Sequence, residues 1–153
     1  MYYFFKFLSS VFPVKSVYAH CDIPCGIYTA EPAQTAARTV VKMVEKLYEQ
    51  VPPADNAGRQ EWLEFENTLA RCIMVKEEHA KKCKEEILIL WTDYFKPEHL
   101  EMFPDLHEKV WNITKLCSKN KQQVNMEFAQ QLKKEVDEFA EIFHRVEEAR
   151  KSK

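Results

Sequence analysis

Residues 62–97 read WLEFENTLARCIMVKEEHAKKCKEEILILWTDYFKP, the longest run of helical periodicity in this chain. Apolar side chains recur in it at three- and four-residue steps, which is the spacing of one face of an α-helix. Pro97 stands at its end, and a proline disfavours helical geometry in the residue before it. The stretch therefore predicts one long amphipathic helix that stops near Phe95. Its apolar face consists of Trp62, Phe65, Leu69, Cys72, Ile73, Ala80, Cys83, Ile87, Leu90, Trp91 and Tyr94.

Three shorter stretches on either side of this helix carry the same periodicity. The turn-forming sequence VPPADNAG at 51–58 separates the first from the long helix, and SKNKQQ at 118–123 separates the last two. Their apolar residues are Val40, Met43, Val44, Leu47 and Val51, then Leu106, Val110, Ile113 and Cys117, then Val124, Phe128, Leu132, Val136, Phe139, Phe143 and Val146. Four amphipathic helices with short connections predict an all-α fold, an antiparallel up-and-down four-helix bundle. A two-stranded coiled coil has similar spacing but needs longer uninterrupted segments.

The composition limits the class of protein. A chain of 153 residues with only two glycines can form one domain that buries a core without disulfide bonds. The net charge of −2 gives no broad basic surface, so a nucleic-acid partner is not expected. No uninterrupted apolar run reaches the ~18 residues that a membrane-spanning helix needs, so no membrane span is expected. Cys72, Cys83 and Cys117 fall singly within helical patterns, and we expect them to be small core residues.

The first segment, MYYFFKFLSSVFPVKSVYA at 1–19, has the composition of a removable leader. It is apolar and aromatic, carries no acidic residue, and places Val17 and Ala19 at the −3 and −1 positions of a small-residue cleavage site. Lys6 and Pro13 interrupt the apolar run, which a plain secretory signal does not favour, so a leader removed inside the cell fits equally well. The alternative is a first amphipathic helix that stays attached.

The sequence HCDIPCGIY at 20–28 holds one histidine and two cysteines. In an uncut chain, His20, Cys21 and Cys25 lack the second ligand pair that structural zinc normally requires, and a disulfide between the two cysteines is conceivable. Cleavage before His20 would instead free an α-amine with a pKa of about 8. This amine, the backbone nitrogen and thiolate of Cys21 and the thiolate of Cys25 can then form a square of two nitrogens and two sulfurs. The His20 imidazole lies in axial reach, and such mixed planar ligation suits nickel(II) or copper(II).

Pro24 and Gly26 suit a tight turn in this segment. Proline restricts the backbone that brings the second cysteine back toward the first, and a cis bond is one way to do so. Gly26 permits a close backbone approach or a positive φ. The predicted organisation is a cleaved leader at 1–19, a metal-binding hook at 20–28 and a bundle at 29–153.

The hook sequence resembles that of nickel-containing superoxide dismutases, whose pattern is HCDxPCGxY. Residues 90–111, LWTDYFKPEHLEMFPDLHEKVW, resemble a second block of that family, centred on WxDYFKP, and the leader resembles the family's propeptide. By this resemblance, one nickel ion per subunit is bound by the amine and imidazole of His20, the amide nitrogen and thiolate of Cys21, and the thiolate of Cys25. The resemblance implies cycling between Ni(II) and Ni(III), which converts superoxide to O2 and H2O2.

The resemblance also implies roles for residues that do not bind nickel. Asp22 and Tyr28 match positions that stabilise the hook, and Tyr94 matches a tyrosine near the open face of the metal. We expect these residues to order water and the incoming anion, although without the resemblance Tyr94 would be read as a packed aromatic residue. Lys96 is a candidate for attracting superoxide. His79 stands where some members have an arginine that supports the axial histidine, and a solvated surface histidine is the alternative.

The family assembles as a hexamer after its propeptide is removed, so we expect a homohexamer, a processing peptidase as a partner and a cytoplasmic location. Export is the alternative if residues 1–19 act as a signal peptide. Phe103 and Trp111 are expected to be exposed aromatic residues that are compatible with a subunit interface. Two other functions stay open, a nickel-binding or carrier protein that uses the hook without turnover and a purely structural bundle.

Overall fold

The computed structural model of the chain describes residues 26–151. In that range the structure has five α-helices, one π-helical turn and no β-strand. α1 spans Glu31–Tyr48, α2 Arg59–Ile89, the π-helical turn Leu90–Tyr94, α3 Pro97–Met102, α4 Leu106–Gln122 and α5 Met126–Lys151. None of these helices is long and apolar enough to cross a membrane.

The four long helices α1, α2, α4 and α5 form an antiparallel bundle. α1 packs against α2 and α5, and α4 packs against the same two helices. Near the start of α1, Gln34 Nε2 donates to Asp137 Oδ1 of α5 at 2.9 Å. At the other end of α1, the Tyr48 hydroxyl donates to the carbonyl of Val124, just before α5, at 3.4 Å. α1 and α5 therefore run in opposite directions, and the prediction of an all-α up-and-down four-helix bundle is confirmed.

The core contains most of the apolar residues that the periodicity predicts, but Met43 and Leu47 of α1 are only partly buried and Ile73 of α2 is 38% exposed. The buried face of α1 consists of small residues, and small side chains let neighbouring helices pack at short interaxial distances. Its members are Ala33, Ala36, Ala37, Val40 and Val44. The apolar residues predicted for α4 are all buried, and so are most of those predicted for α5.

Two helix ends differ from the sequence-based prediction. α1 ends at Tyr48, and Val51 lies beyond it with 81% of its surface exposed, so Val51 is not part of the buried stripe. The segment SKNKQQ was predicted as a connection, but α4 continues to Gln122. Val124 precedes α5 and is 42% exposed. The Lys76 and Asn120 side chains bond to carbonyls in the final turns of α4.

The prediction of two exposed aromatic residues is half wrong. Trp111 is 60% exposed, with the Lys115 ammonium 4.1 Å from its ring centroid. Phe103 is only 6% exposed and belongs to the core, and the Arg145 guanidinium lies 4.8 Å from its ring centroid. Phe103 is buried because it directly follows the short helix α3, which was not predicted and which turns the chain back toward the bundle.

The three described cysteines are free thiols in the core, as predicted. Cys72, Cys83 and Cys117 are all buried. A hydrogen bond with the Cys117 thiol and burial together raise the pKa of the Cys83 thiol far above its ordinary value. The two thiols are therefore neutral, small core side chains, as the sequence predicts.

Candidate metal centre

Tyr94 is the last residue of the π-helical turn that ends the long second helix. The backbone N–H of Phe95 donates to the carbonyl of Leu90 at 3.1 Å, which spans five residues instead of four. Such single π-turns are often found at functional sites, because the additional residue re-aims the side chains that follow it. Pro97 prevents the helix from continuing. The turn directs Tyr94 into the bundle, where the residue is 8% exposed.

Aromatic side chains from four segments surround the Tyr94 ring. The nearest is Phe143 of α5, with a centroid separation of 4.5 Å, followed by Phe95 at 5.2 Å. Tyr28, from the segment before α1, approaches edge-on at 5.9 Å. His99 of α3 lies nearly parallel to Tyr94 at 6.1 Å. Edge contacts and offset stacks of this kind are the favoured aromatic geometries. The cluster therefore fixes the start of α1 to the end of α2.

The Tyr94 hydroxyl is hydrogen-bonded to a carboxylate. It donates a hydrogen bond of 2.6 Å to Glu147 Oε1 on α5. Glu147 in turn accepts a bond of 3.3 Å from the Arg150 guanidinium. Burial and the bond to Glu147 raise the pKa of Tyr94 well above its ordinary value. Tyr94 is therefore a neutral phenol, and its proton is directed at Glu147.

The described chain begins next to this cluster. Gly26 has a φ of 101°, a backbone conformation that residues with a Cβ rarely adopt. The prediction that Gly26 permits a positive φ is confirmed. Ile27 is 63% exposed, whereas the next residue, Tyr28, is half-buried and packs against the core. The positive φ and the alternation from exposed to packed mark the point where the last residues of the predicted hook join the bundle.

Of the six predicted site residues, the structure brings two together. Tyr28 and Tyr94, which are 66 positions apart in the chain, contact each other at the edge of one ring. The predicted ligands His20, Cys21 and Cys25, and the supporting residue Asp22, lie outside the described residues, as does Pro24. Their roles stay predictions. Within residues 26–151, no three His, Cys, Asp or Glu side chains are grouped in a way that could hold a metal ion.

The sequence matches a known family over most of its length. The family model for nickel-containing superoxide dismutase matches residues 15–147. The chain belongs to the nickel-containing superoxide dismutase family. The match begins before the hook sequence and ends at Glu147, so it includes both the hook and the block around Tyr94.

Relatives and solved structures agree with this family membership. The nickel superoxide dismutases of Streptomyces coelicolor and Streptomyces seoulensis are each 38% identical to this chain over 112 residues, covering 72% of this chain and 76% of the relative. A native nickel superoxide dismutase structure matches with a TM-score of 0.70 and 29% identity, covering 84% of this chain and 99% of that one. A structure whose nickel ligation corresponds to the oxidised state gives 0.69 and 30%, with the same coverage.

His79 and Lys96 are the two further residues that the family resemblance singles out. His79 is half-buried on α2, and its Nδ1 is 2.9 Å from the carbonyl of Val75, one turn earlier. This bond fixes the ring on its own helix and leaves Nε2 as the nitrogen that could support another group. The backbone N–H of Lys96 donates to His99 Nδ1 at 3.1 Å. The proposed roles of both side chains stay predictions.

Sequence reasoning missed Glu147, although a signal for it exists. Glu147 follows Phe143 by one helical turn on α5, next to the buried Val146, so it interrupts an apolar stripe with a carboxylate. An acidic residue at a stripe position predicts a buried or half-buried partner. The partner could not be named because Tyr94 is 53 positions away. The position of His99 beside Tyr94 was not predicted either, because it depends on the short helix α3.

Proposed function

We propose that this chain is a nickel superoxide dismutase whose metal centre is the hook at 20–28, formed when cleavage after Ala19 frees the amine of His20. Family membership supports the activity. The main support for the proposed location of the metal centre is the contact between Tyr28 and Tyr94. Because Tyr28 belongs to the hook sequence and Tyr94 to the WTDYFKP block, this contact joins the two motifs at one end of the bundle. The relatives are dismutases, so they do not support the alternative of a nickel carrier.

The chemistry of the proposed donors fits nickel. A donor set of two nitrogens, two thiolates and an imidazole would suit nickel better than zinc, which prefers a tetrahedral site. His20 would supply the amine and the imidazole, Cys21 its amide nitrogen and thiolate, and Cys25 its thiolate. The bound nickel would supply one-electron chemistry, since Ni(III) can take an electron from one superoxide and Ni(II) can give one to the next.

The residues around the hook would have a role different from that of the nickel ligands. Reduction of superoxide to H2O2 consumes two protons, so ordered proton donors must lie near the oxygen. We assign this ordering to Tyr28 and Tyr94, with Asp22 stabilising the hook. Both rings pack with the core and would close one side of the site to bulk water. Lys96 would add local positive charge for an anionic substrate in a chain whose net charge is −2.

Assembly, processing and location are proposed from the family resemblance. We propose a homohexamer, a peptidase that removes residues 1–19, and a cytoplasmic location with export as the alternative. Exposed apolar side chains support subunit contacts, since Met74 is 62% exposed and Leu63 is 47% exposed on α2, and Trp111 is 60% exposed on α4. Sedimentation of the purified protein and fractionation of cells that express the full chain would test these points.

A comparison of two chains that differ by one residue tests the function. One begins at His20 and the other at Ala19, so that the second keeps every side chain but moves the α-amine away from the metal. We expect the first to bind one nickel ion per chain and to dismutate superoxide, and the second to do neither. Equal nickel content and activity in both would contradict the role of the freed amine. Stoichiometric nickel without dismutation in the first chain would favour the carrier, and absence of nickel binding would favour a structural bundle.

A further inference from the structure

One carboxylate, that of Glu147, is bonded to the Tyr94 hydroxyl and has no role in the proposed function. Glu147 Oε1 accepts the Tyr94 hydroxyl at 2.6 Å, a distance typical of a charge-assisted O–H···O⁻ bond. The Glu147 side chain is only 19% exposed, and the Arg150 guanidinium holds it at 3.3 Å. The carboxylate is therefore fixed from both sides.

We propose that Glu147 is a positioning residue for the dismutation reaction, which holds the single proton of the Tyr94 hydroxyl and leaves the Tyr94 oxygen as an acceptor toward all other groups. This inference rests on the proposed function. A phenol has one O–H donor and lone pairs on the same oxygen. When its proton is committed to Glu147, Tyr94 can hold a water molecule only by accepting one of that water's hydrogens. The water then has its second hydrogen free to point at the substrate.

The titratable and charged groups around Tyr94 make Glu147 the residue that sets this direction. Tyr28 faces Tyr94 from the segment before α1, His99 from α3, and Glu147 with Arg150 from α5. Within the described residues, Glu147 is the carboxylate that is bonded to the Tyr94 hydroxyl. Arg150 offsets part of its charge, which limits the repulsion of an incoming anion.

The proposed direction accounts for the source of the protons. Superoxide gains one electron and two protons to become H2O2, and the phenol proton held by Glu147 is not released in this step. Both protons come from solvent through the ordered water, so Tyr94 begins and ends the step as a neutral phenol. Glu147 contributes by fixing an orientation, and no bond to it forms or breaks.

The first test needs no nickel. In protein labelled with ¹³C at the tyrosine ζ carbon, the Tyr94 signal is assigned by its loss in Tyr94→Phe. We expect this signal to shift in Glu147→Gln, because an amide is a weaker acceptor than a carboxylate and also offers its own donor. The matched control is Glu148→Gln, which makes the same charge change on the next, exposed residue. A Tyr94 signal that is identical in wild type and Glu147→Gln would overturn the bond on which the proposal depends.

The second test uses the nickel-loaded, processed protein. Glu147→Gln should lower the dismutation rate per bound nickel about three- to tenfold, with nickel content and helical circular dichroism unchanged. In a Tyr94→Phe background, Glu147→Gln should have no further effect, because its action passes through the Tyr94 hydroxyl.

Three outcomes separate this inference from the function on which it rests. An active wild type with equal rates in Glu147→Gln and Glu148→Gln overturns the positioning role and leaves the function intact. A full additional loss from Glu147→Gln in the Tyr94→Phe background also overturns it, since Glu147 would then act independently. A wild type that binds nickel without dismutating superoxide defeats the proposed function, and with it this role, even if the NMR measurement confirms the hydrogen bond.

Discussion

At the end of the bundle where α4 turns into α5, the Lys76 side chain of α2 is 1% exposed, and its ammonium donates to main-chain carbonyls at the end of α4. Those of Lys121 and Gln123 lie at 3.1 Å, and the carbonyl of Asn120 is the third acceptor. The Asn120 side chain donates to the carbonyls of Leu116 and Phe128 at 3.0 and 2.9 Å. This region, the lysine end, is closed by side chains that cap the backbone.

At the opposite end, Tyr94 donates to Glu147 and contacts Tyr28, and we call this region the tyrosine end. Both ends bury polar groups, but these groups form hydrogen bonds to different kinds of partner. At the lysine end a cation meets the negative pole of a helix C-terminus, a partner that is already present in the fold. At the tyrosine end the acceptor is a half-buried carboxylate, and the chain that joins the cluster comes from the proposed hook.

The comparison separates stability from function. Burial lowers the pKa of the Lys76 ammonium, so carbonyl partners are needed to keep the charge in place. We infer that the lysine end contributes mainly to folding, while the tyrosine end receives the metal-binding segment. The following variants test this separation of stability from function.

The largest effect is expected from the proposed ligands. Cys21→Ser and Cys25→Ser should each abolish nickel binding and reduce dismutation to background, because an alcohol does not replace a thiolate on nickel. The metal-free unfolding midpoint should match that of metal-free wild type. Nickel content by elemental analysis and superoxide decay measure the loss.

Cys72→Ser is the control for these two variants. Cys72 is a buried free thiol of α2, so its replacement should lower stability through a buried hydroxyl and leave nickel binding intact. Retention of stoichiometric nickel in either Cys21→Ser or Cys25→Ser would refute the ligand assignment.

The lysine end should respond to Lys76→Met, which keeps the apolar stem and removes the ammonium. Loss of the bonds to buried carbonyls should lower the free energy of unfolding by about 2–3 kcal/mol, measured by urea denaturation. Activity per bound nickel should stay at the wild-type value. Lys82→Met is the matched control, because Lys82 is exposed on the same helix. Equal stability of the two variants would show that the buried ammonium does not stabilise the helix end.

At the tyrosine end, Gly26→Ala tests the backbone in the last part of the proposed hook. A Cβ at this position meets no atom within 4 Å, so the cost comes from the φ of 101° and not from a clash. Strain of this kind costs about 1–3 kcal/mol. We expect weaker nickel retention in a competition with a chelator and an unchanged unfolding midpoint of the metal-free bundle.

Gly58→Ala is the control for the backbone effect. Gly58 precedes α2 with a φ of −69°, which any residue adopts, and a Cβ there would lie 3.8 Å from Glu61 Oε1. This variant should leave nickel retention unchanged. If Gly26→Ala and Gly58→Ala retain nickel equally well in the presence of the chelator, the positive φ is not needed for nickel binding by the hook.

The two ends also show what a sequence can and cannot predict. The bundle was predictable because apolar residues at helical steps report a local property, the face that each helix buries. Lys76 was not, since it lies in the charged run KEEHAKKCKEE and looks like a solvated lysine. Its partners are 44 to 47 positions away, and Glu147 is 53 positions from Tyr94. Pairings over such distances depend on the packing of helices, which periodicity alone does not specify.

The smallest expected effect lies between the two ends, at Asp137 of α5. Burial opposes its ionisation, but the bonds from Lys133 and Gln34 outweigh burial and lower the pKa of Asp137. A carboxylate with a lowered pKa stabilises the fold above its unfolded pKa of about 3.9, and this contribution is lost as the pH falls through the folded pKa. Asp137→Asn should therefore be less stable than wild type at neutral pH by less than about 1 kcal/mol. The difference should shrink in acid.

Urea denaturation at several pH values measures this difference, with Glu141→Gln on the exposed side of α5 as the control. Asp137 links α1 to α5 midway along the bundle, so its loss should change neither nickel retention nor the stabilising effect of Lys76. A stability difference that stays constant from neutral pH to acid would mean that the contacts of Asp137 do not depend on its charge. The hydrogen bond to Gln34 would then matter only as a neutral contact, because an asparagine can accept that bond but cannot attract Lys133.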